Sequence, residues 1–178
     1  MKASIQPRYK ARSFFAKSII NSEISNETEI VNLLKKSTRK NIALDYSQLR
    51  IGLLHFLNVV LPKQSLVVTT SYTIFDMINI IINSNNTPVF VDIDKNNLGP
   101  NIDEIIKLVE KKKVNCVIYT YLHGYTCDLN YLSKVCKENQ CILIEDCAQS
   151  LWHPDWIEHG DCPGCYGDIA LFSTGLYK

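Results

Sequence analysis

Two acidic residues close a run that is otherwise apolar. Ile142-Leu143-Ile144-Glu145-Asp146-Cys147-Ala148-Gln149 reads as a buried strand ending in adjacent carboxylates, with a hydrogen-bonding amide three residues after Asp146. A carboxylate beside a dry sheet is costly unless a cation or hydrogen-bond donors meet it, so Asp146 calls for a partner. The plainer reading is a strand-end aspartate that caps the following turn. Downstream lies Gly167-Asp168-Ile169-Ala170-Leu171-Phe172-Ser173-Thr174-Gly175-Leu176-Tyr177-Lys178, which sets a hydroxyl and an amine five residues apart. Taken alone, Lys178 is a solvated lysine. Between these segments, His153, His159, Cys162 and Cys165 fall within one stretch, and Cys162-Pro163-Gly164-Cys165 has the spacing of a zinc half-site. Four ligands of suitable type leave a structural zinc as the alternative reading; with a single C-x-x-C pair and no thioredoxin-like context, no metal is assigned. Trp152 and Trp156 read as anchors of the same loop.

The elements that must position these groups follow from hydrophobic period and turn residues. Short apolar runs predict strands at Ile42–Asp45, Leu66–Thr69, Pro88–Ile93, Asn115–Thr120, Cys141–Glu145 and Ile169–Ser173. Helix-period runs predict helices at Glu27–Lys36, Leu49–Val60, Ile74–Asn83, Ile102–Lys112 and Leu129–Asn139, with Asn101 and Asp128 placed as N-caps. Strands that are apolar throughout and alternate with helices point to a mainly parallel sheet covered on both faces, a three-layer α/β sandwich. Ligands of such folds gather at the carboxyl ends of the strands. Those ends carry Asp45, Thr69 to Ser71, Asp92, Asp94, Glu145, Asp146 and Ser173. Ser150–Asp168, rich in Gly, Pro, His, Cys and Trp, reads as a long loop.

Composition narrows the partners. The 178 residues are 46% hydrophobic and 21% charged, with 19 Lys+Arg against 18 Asp+Glu, which excludes disorder, collagen-like repeats and membrane spanning. A net charge of +1 gives no broad field for nucleic acid or an anionic membrane, and small molecules are the expected ligands. Seven cysteines are scattered through elements rather than spaced as a framework, and Lys17 interrupts the apolar stretch of Met1–Ile20 before an export signal develops. Reduced thiols in a cytoplasmic protein are expected.

Taken together, the E-D-x-x-Q strand end and the G-D-x-x-x-F-S segment, with Lys178 five residues after Ser173, resemble the DegT/DnrJ/EryC1/StrS family of pyridoxal-phosphate-dependent sugar aminotransferases. Pro88-Val89-Phe90-Val91-Asp92-Ile93-Asp94 with Asn101-Ile102-Asp103, the Ser71-Tyr72-Thr73 turn, and Leu122-His123-Gly124 before Asp128 match the same pattern. The resemblance runs from about Ala43 to Lys178. It implies the large domain of the type I fold over residues 41–178, after an N-terminal segment at 1–40. It makes Lys178 the Schiff-base lysine and proton shuttle, Asp146 the partner of the pyridine nitrogen, Gln149 the partner of the ring hydroxyl and Ser173 a phosphate ligand. The cofactor would be pyridoxal 5'-phosphate, the substrates glutamate and a nucleotide-linked keto sugar of polysaccharide or secondary-metabolite assembly, and the assembly a homodimer.

Three departures qualify the resemblance. Gln48-Leu49-Arg50-Ile51-Gly52-Leu53 stands where many members carry S-G-T-A-A-L, so Arg50 is the candidate phosphate contact, with a solvated helix face as its plain alternative. Ile74 falls on the ring-stacking position, which leaves Tyr72 or Phe75 to cover the ring. The family also continues past its lysine with a strand of the same sheet and a small domain. The chain alone is therefore expected to turn over weakly or not at all, and the alternative is a non-catalytic remnant or interaction module of the same fold.

Overall fold

The computed structural model describes residues 32, 35–36, 38–44, 46–111, 114–150 and 162–173. Five strands, β1 (Leu66–Thr70), β2 (Thr87–Val91), β3 (Cys116–Thr120), β4 (Ile142–Asp146) and β5 (Ile169–Leu171), form one sheet in the order β2-β1-β3-β4-β5. Every pairing in it is parallel. Four helices, α1 (Leu49–Val60), α2 (Phe75–Asn83), α3 (Ile102–Glu110) and α4 (Asn130–Glu138), flank the strands.

Strand alternation sorts the core into two layers of contact. Val67, Cys116, Ile118 and Ile144 face one side and pack with Leu53 and Leu57 of α1 and Met77, Ile80 and Ile81 of α2. Val68, Val117, Tyr119 and Leu143 face the other and pack with Ile105 and Val109 of α3 and Leu132, Val135 and Cys136 of α4. Because β3 is buried along its whole length, it needs apolar side chains on both faces, and Cys-Val-Ile-Tyr-Thr supplies them. The three-layer sandwich with a parallel sheet is the architecture expected from the sequence.

Local chemistry explains the ends of the elements. The Asn101 side chain accepts from Glu104 N at 3.1 Å and caps α3, while Glu104 Oε2 accepts from Asp92 N at 3.0 Å and ties the helix to the end of β2. Asp128 acts one residue earlier than expected: the N-cap position is Leu129, and Asp128 Oδ1 accepts from Asn130 N at 2.7 Å.

Three expectations need correction or placement. Residues 42–44 are not a strand, and Ile42 and Leu44 are 75% and 72% exposed. The described sheet runs from β2 to β5 without this segment, and an apolar run that pairs with no strand gains nothing from extension. Asp45 and most of the expected Glu27–Lys36 helix lie outside the described residues, although 32, 35 and 36 are helical. Cys162 and Cys165 form a disulfide where reduced thiols were expected throughout; Cys116, Cys127, Cys136, Cys141 and Cys147 are free. Among the described residues no helix is long and apolar enough to cross a membrane.

Candidate functional site

The strand order reverses between β1 and β3, and ligands of open α/β sheets bind outside the carboxyl ends of the strands at such a reversal. Thr69 and Thr70 end β1, Thr120 ends β3, and Asp146 ends β4 beside it, paired in register with Thr120. Alternation turns Asp146 to the α1/α2 face, on the same side as Ile144, and turns Glu145 to the α3/α4 face. The two adjacent carboxylates therefore serve opposite sides of the sheet.

Asp146 is 6% exposed. Its Oδ1 accepts from Ala148 N at 3.1 Å, closing an Asx turn, and its Oδ2 accepts from Thr120 Oγ1 at 3.4 Å. Its carbonyl accepts from Tyr121 N at 3.1 Å, which fixes the start of the segment after β3. That segment turns through His123 and Gly124, both in the left-handed region at φ 54° and 76°. Gln149 Oε1 accepts from His123 N at 3.0 Å, so the amide of Gln149 is held across the ends of β3 and β4.

The other expected site residues are placed less centrally. Ser173 follows β5 by two residues and is half-buried. Arg50, in the first turn of α1, ion-pairs with Asp76 in the first turn of α2, and both side chains are about half exposed. Tyr72 is exposed, with its backbone N–H donating to Thr70 Oγ1 at 3.1 Å, and Phe75 and Ile74 are exposed beside it. Lys178, His153, His159, Trp152 and Trp156 lie outside the described residues. Among the described residues no cluster of His, Cys, Asp or Glu is suited to a metal ion.

One group that sequence reasoning left unassigned is the best connected. Glu145 is fully buried. Its Oε2 accepts from Tyr121 Oη at 2.7 Å and Gly164 N at 2.8 Å, and its Oε1 accepts from Tyr166 N at 2.8 Å and Gly167 N at 2.5 Å. Lys40 Nζ donates to Gly167 O, and partial burial lowers its pKa against the raising influence of Glu145 and Asp168. Burial and the facing carboxylate push the Tyr121 phenol far above its ordinary range, which keeps it a neutral O–H donor. Asp168 completes the ladder beyond the strand: its N donates to Leu143 O at 2.8 Å and its Oδ2 accepts from Leu143 N at 2.9 Å. The one sequence signal for Glu145 was its position next to Asp146, because period-two alternation forces neighbouring side chains apart.

Comparisons with known proteins place this arrangement. The model of the DegT/DnrJ/EryC1/StrS aminotransferase family matches residues 47–174. GDP-perosamine synthase of Vibrio cholerae is 27% identical over 152 residues, covering 83% of this chain and 38% of that protein. The dTDP-4-dehydro-2,3,6-trideoxy-D-glucose 4-aminotransferase of Saccharopolyspora spinosa is 28% identical over 121 residues, 68% of this chain and 28% of that protein. Among solved structures, a mutant of GDP-4-keto-6-deoxymannose-3-dehydratase with bound GDP-perosamine superposes with a TM-score of 0.71 at 17% identity, over 93% of this chain and 45% of that one. The last likeness is one of fold. The chain spans less than half the length of each of these proteins.

Proposed function

This chain belongs to the DegT/DnrJ/EryC1/StrS aminotransferase family, and from that premise we propose that it carries the cofactor-binding part of a pyridoxal-phosphate-dependent aminotransferase. Its substrates in this reading are a nucleotide-linked keto sugar and an amino donor, glutamate, within a cytoplasmic homodimer. The observation that carries the reading is Asp146, an almost fully buried carboxylate at the carboxyl edge of a parallel sheet, beside the reversal of strand order. The names of the sugar-aminotransferase relatives support the substrate class.

The residues present fit the cofactor. The described donors on Asp146 are a backbone amide and a threonine hydroxyl, and a carboxylate at the carboxyl edge of the sheet is the chemistry that would accept from a protonated ring nitrogen. When bound, pyridoxal 5'-phosphate supplies an aldehyde carbon open to attack by amines and a ring that takes up the electron pair left at the donor's α-carbon. Asp146 holds the proton at the ring nitrogen. Gln149, its Oε1 already engaged by His123 N, has its amide nitrogen left to donate to the ring hydroxyl. Ser173 would hold the phosphate through its hydroxyl. Lys178 would be the amine that bonds the cofactor and moves the proton at the donor's α-carbon. Tyr72 would be the residue to cover the ring. Arg50 adds charge toward the phosphate, and its ion pair with Asp76 tempers that contribution, which is the observation favouring the second reading, a non-catalytic member of the same fold.

Borohydride reduction of the chain after incubation with pyridoxal phosphate, followed by peptide mass spectrometry, tests the assignment. A single reduced adduct on Lys178 is expected. Scattered labelling of surface lysines, or none, overturns it and leaves the non-catalytic reading.

A further inference from the structure

We propose that Glu145 is a positioning residue for the site: its carboxylate gathers the backbone amides of Gly164, Tyr166 and Gly167, and so sets the path by which β5 delivers Ser173 to the carboxyl edge of the sheet. The inference rests on the reading of Asp146 and Ser173 as cofactor ligands, and it assigns the other half of the acidic pair.

The geometry is that of a socket. Each oxygen of Glu145 accepts two hydrogen bonds, Tyr166 N and Gly167 N on Oε1, Tyr121 Oη and Gly164 N on Oε2. Three of the four donors come from one turn, 19 to 22 residues further along the chain, and the fourth comes from the segment just after β3. The turn is gripped from outside as well. Lys40 Nζ donates to Gly167 O, Ser133 Oγ donates to Tyr166 O at 2.6 Å, and Asp168 exchanges two bonds with Leu143. Its glycines are required by fit. Gly164 has φ 95°, and a Cβ there would lie 2.8 Å from Phe172 Cζ; a Cβ on Gly167 would lie 2.7 Å from Leu143 O. From Gly167 the chain enters β5 at Ile169 and reaches Ser173 four residues later. A turn shifted at Glu145 therefore shifts the strand, and reacting groups tolerate displacements of well under ~1 Å.

Glutamine tests this specifically. It keeps one accepting oxygen and replaces the other with an N–H2 group, so whichever way it sits, at least one backbone N–H meets a donor: Gly164 N, or the pair Tyr166 N and Gly167 N. Glu145→Gln is compared with the wild type and with Val109→Ala, a cavity substitution on buried α3 that serves as a destabilised control. Two readouts are taken on the full chain: hydrogen exchange by mass spectrometry, and borohydride trapping of pyridoxal phosphate on Lys178. The expected result is lost protection over residues 164–171 with β3 still protected, and trapping on Lys178 lowered about 10- to 100-fold, while Val109→Ala at the same fraction folded traps as the wild type does. If Glu145→Gln does not fold, Tyr121→Phe, which removes one donor of the four, is read the same way with a smaller loss in the same segment. Unchanged protection at 164–171 overturns the inference, as does unchanged trapping beside a wild type that labels Lys178. A wild type that labels nothing overturns the proposed function, and the exchange data then decide the role of Glu145 in the turn.

Discussion

Asp146→Asn separates two roles that the structure superimposes on one side chain. As a turn cap, Asp146 needs only an accepting oxygen for Ala148 N, 3.1 Å away, and asparagine provides one. Its N–H2 group can also donate to Thr120 Oγ1, which lies 3.4 Å from Oδ2. The ligand-free chain should therefore change in stability by less than about 1 kcal/mol, whereas Asp146→Ala, which strands a buried amide, should lose about 1–3 kcal/mol. As partner of a cationic ring nitrogen, the same residue needs its charge. Replacing a charge-assisted bond of about 1.5–3 kcal/mol by a neutral one of about 0.5–1.5 kcal/mol removes about 1–1.5 kcal/mol. At 1.4 kcal/mol per decade that is about a 5- to 12-fold weaker dissociation constant for pyridoxal phosphate. The assay pairs urea unfolding of the ligand-free chain with cofactor titration followed by absorbance. A variant as stable as the wild type that binds the cofactor just as tightly would refute the assignment and leave Asp146 a turn cap.

Other consequences are open to direct measurement. Asp168→Ala removes the acceptor of Leu143 N and should cost about 1–3 kcal/mol in urea unfolding; a loss under about 0.5 kcal/mol would show that β5 is held without it. Burial raises the pKa values of Cys116, Cys127, Cys147, Tyr119 and Tyr121, and the hydrogen bond with Cys136 together with burial raises that of Cys141. The unfolded chain releases these protons from the ordinary 9.0 for thiols and 10.0 for phenols, so it binds fewer protons than the folded chain there and stability must fall as pH rises through that range. Lys40, lowered from 10.5, acts in the opposite sense as one group among several, and a flat stability profile from pH 8 to 11 would contradict the burial of the thiols and phenols. Alkylation of denatured, unreduced protein should modify Cys116, Cys127, Cys136, Cys141 and Cys147 and spare Cys162 and Cys165, which become reactive after reduction; labelling of all seven without reductant would remove the disulfide.

What was legible in the sequence is what short-range pattern controls. The Leu49–Val60 helix has the limits its apolar period suggests, and β1, β3 and β4 begin and end within a residue of their apolar runs. The Asn101 cap follows from one side chain and an amide three residues on. The failures share a cause, dependence on a distant partner. Ile42–Leu44 has the composition of a strand and pairs with no strand of the described sheet. The Arg50–Asp76 ion pair was not legible either, since the packing of α1 against α2 brings Asp76, 26 residues later, to the guanidinium. Half of the candidate site was visible as Asp146 and Gln149 because both hang on one strand end. The fit of the 162–168 turn was not, because the side chains that grip it, Glu145, Lys40 and Ser133, lie elsewhere in the chain.

The acidic pair shows how the scaffold and the site depend on each other. Neighbouring residues on a strand must face opposite ways, so a single E-D step gives the sheet one carboxylate for the α1/α2 face and one for the turn behind it. A slip of β4 by one residue would exchange their faces, burying Asp146 against amides spaced for a longer side chain and turning Glu145 to the α1/α2 face. Register is therefore the quantity that both functions require. It is held by Leu143, whose N and O both bond Asp168, and by the Thr120–Asp146 pairing between β3 and β4. The socket around Glu145 and the register of β4 stabilise the same arrangement, which is why loosening the turn should be felt at the cofactor edge although no atom of the turn need touch the ligand.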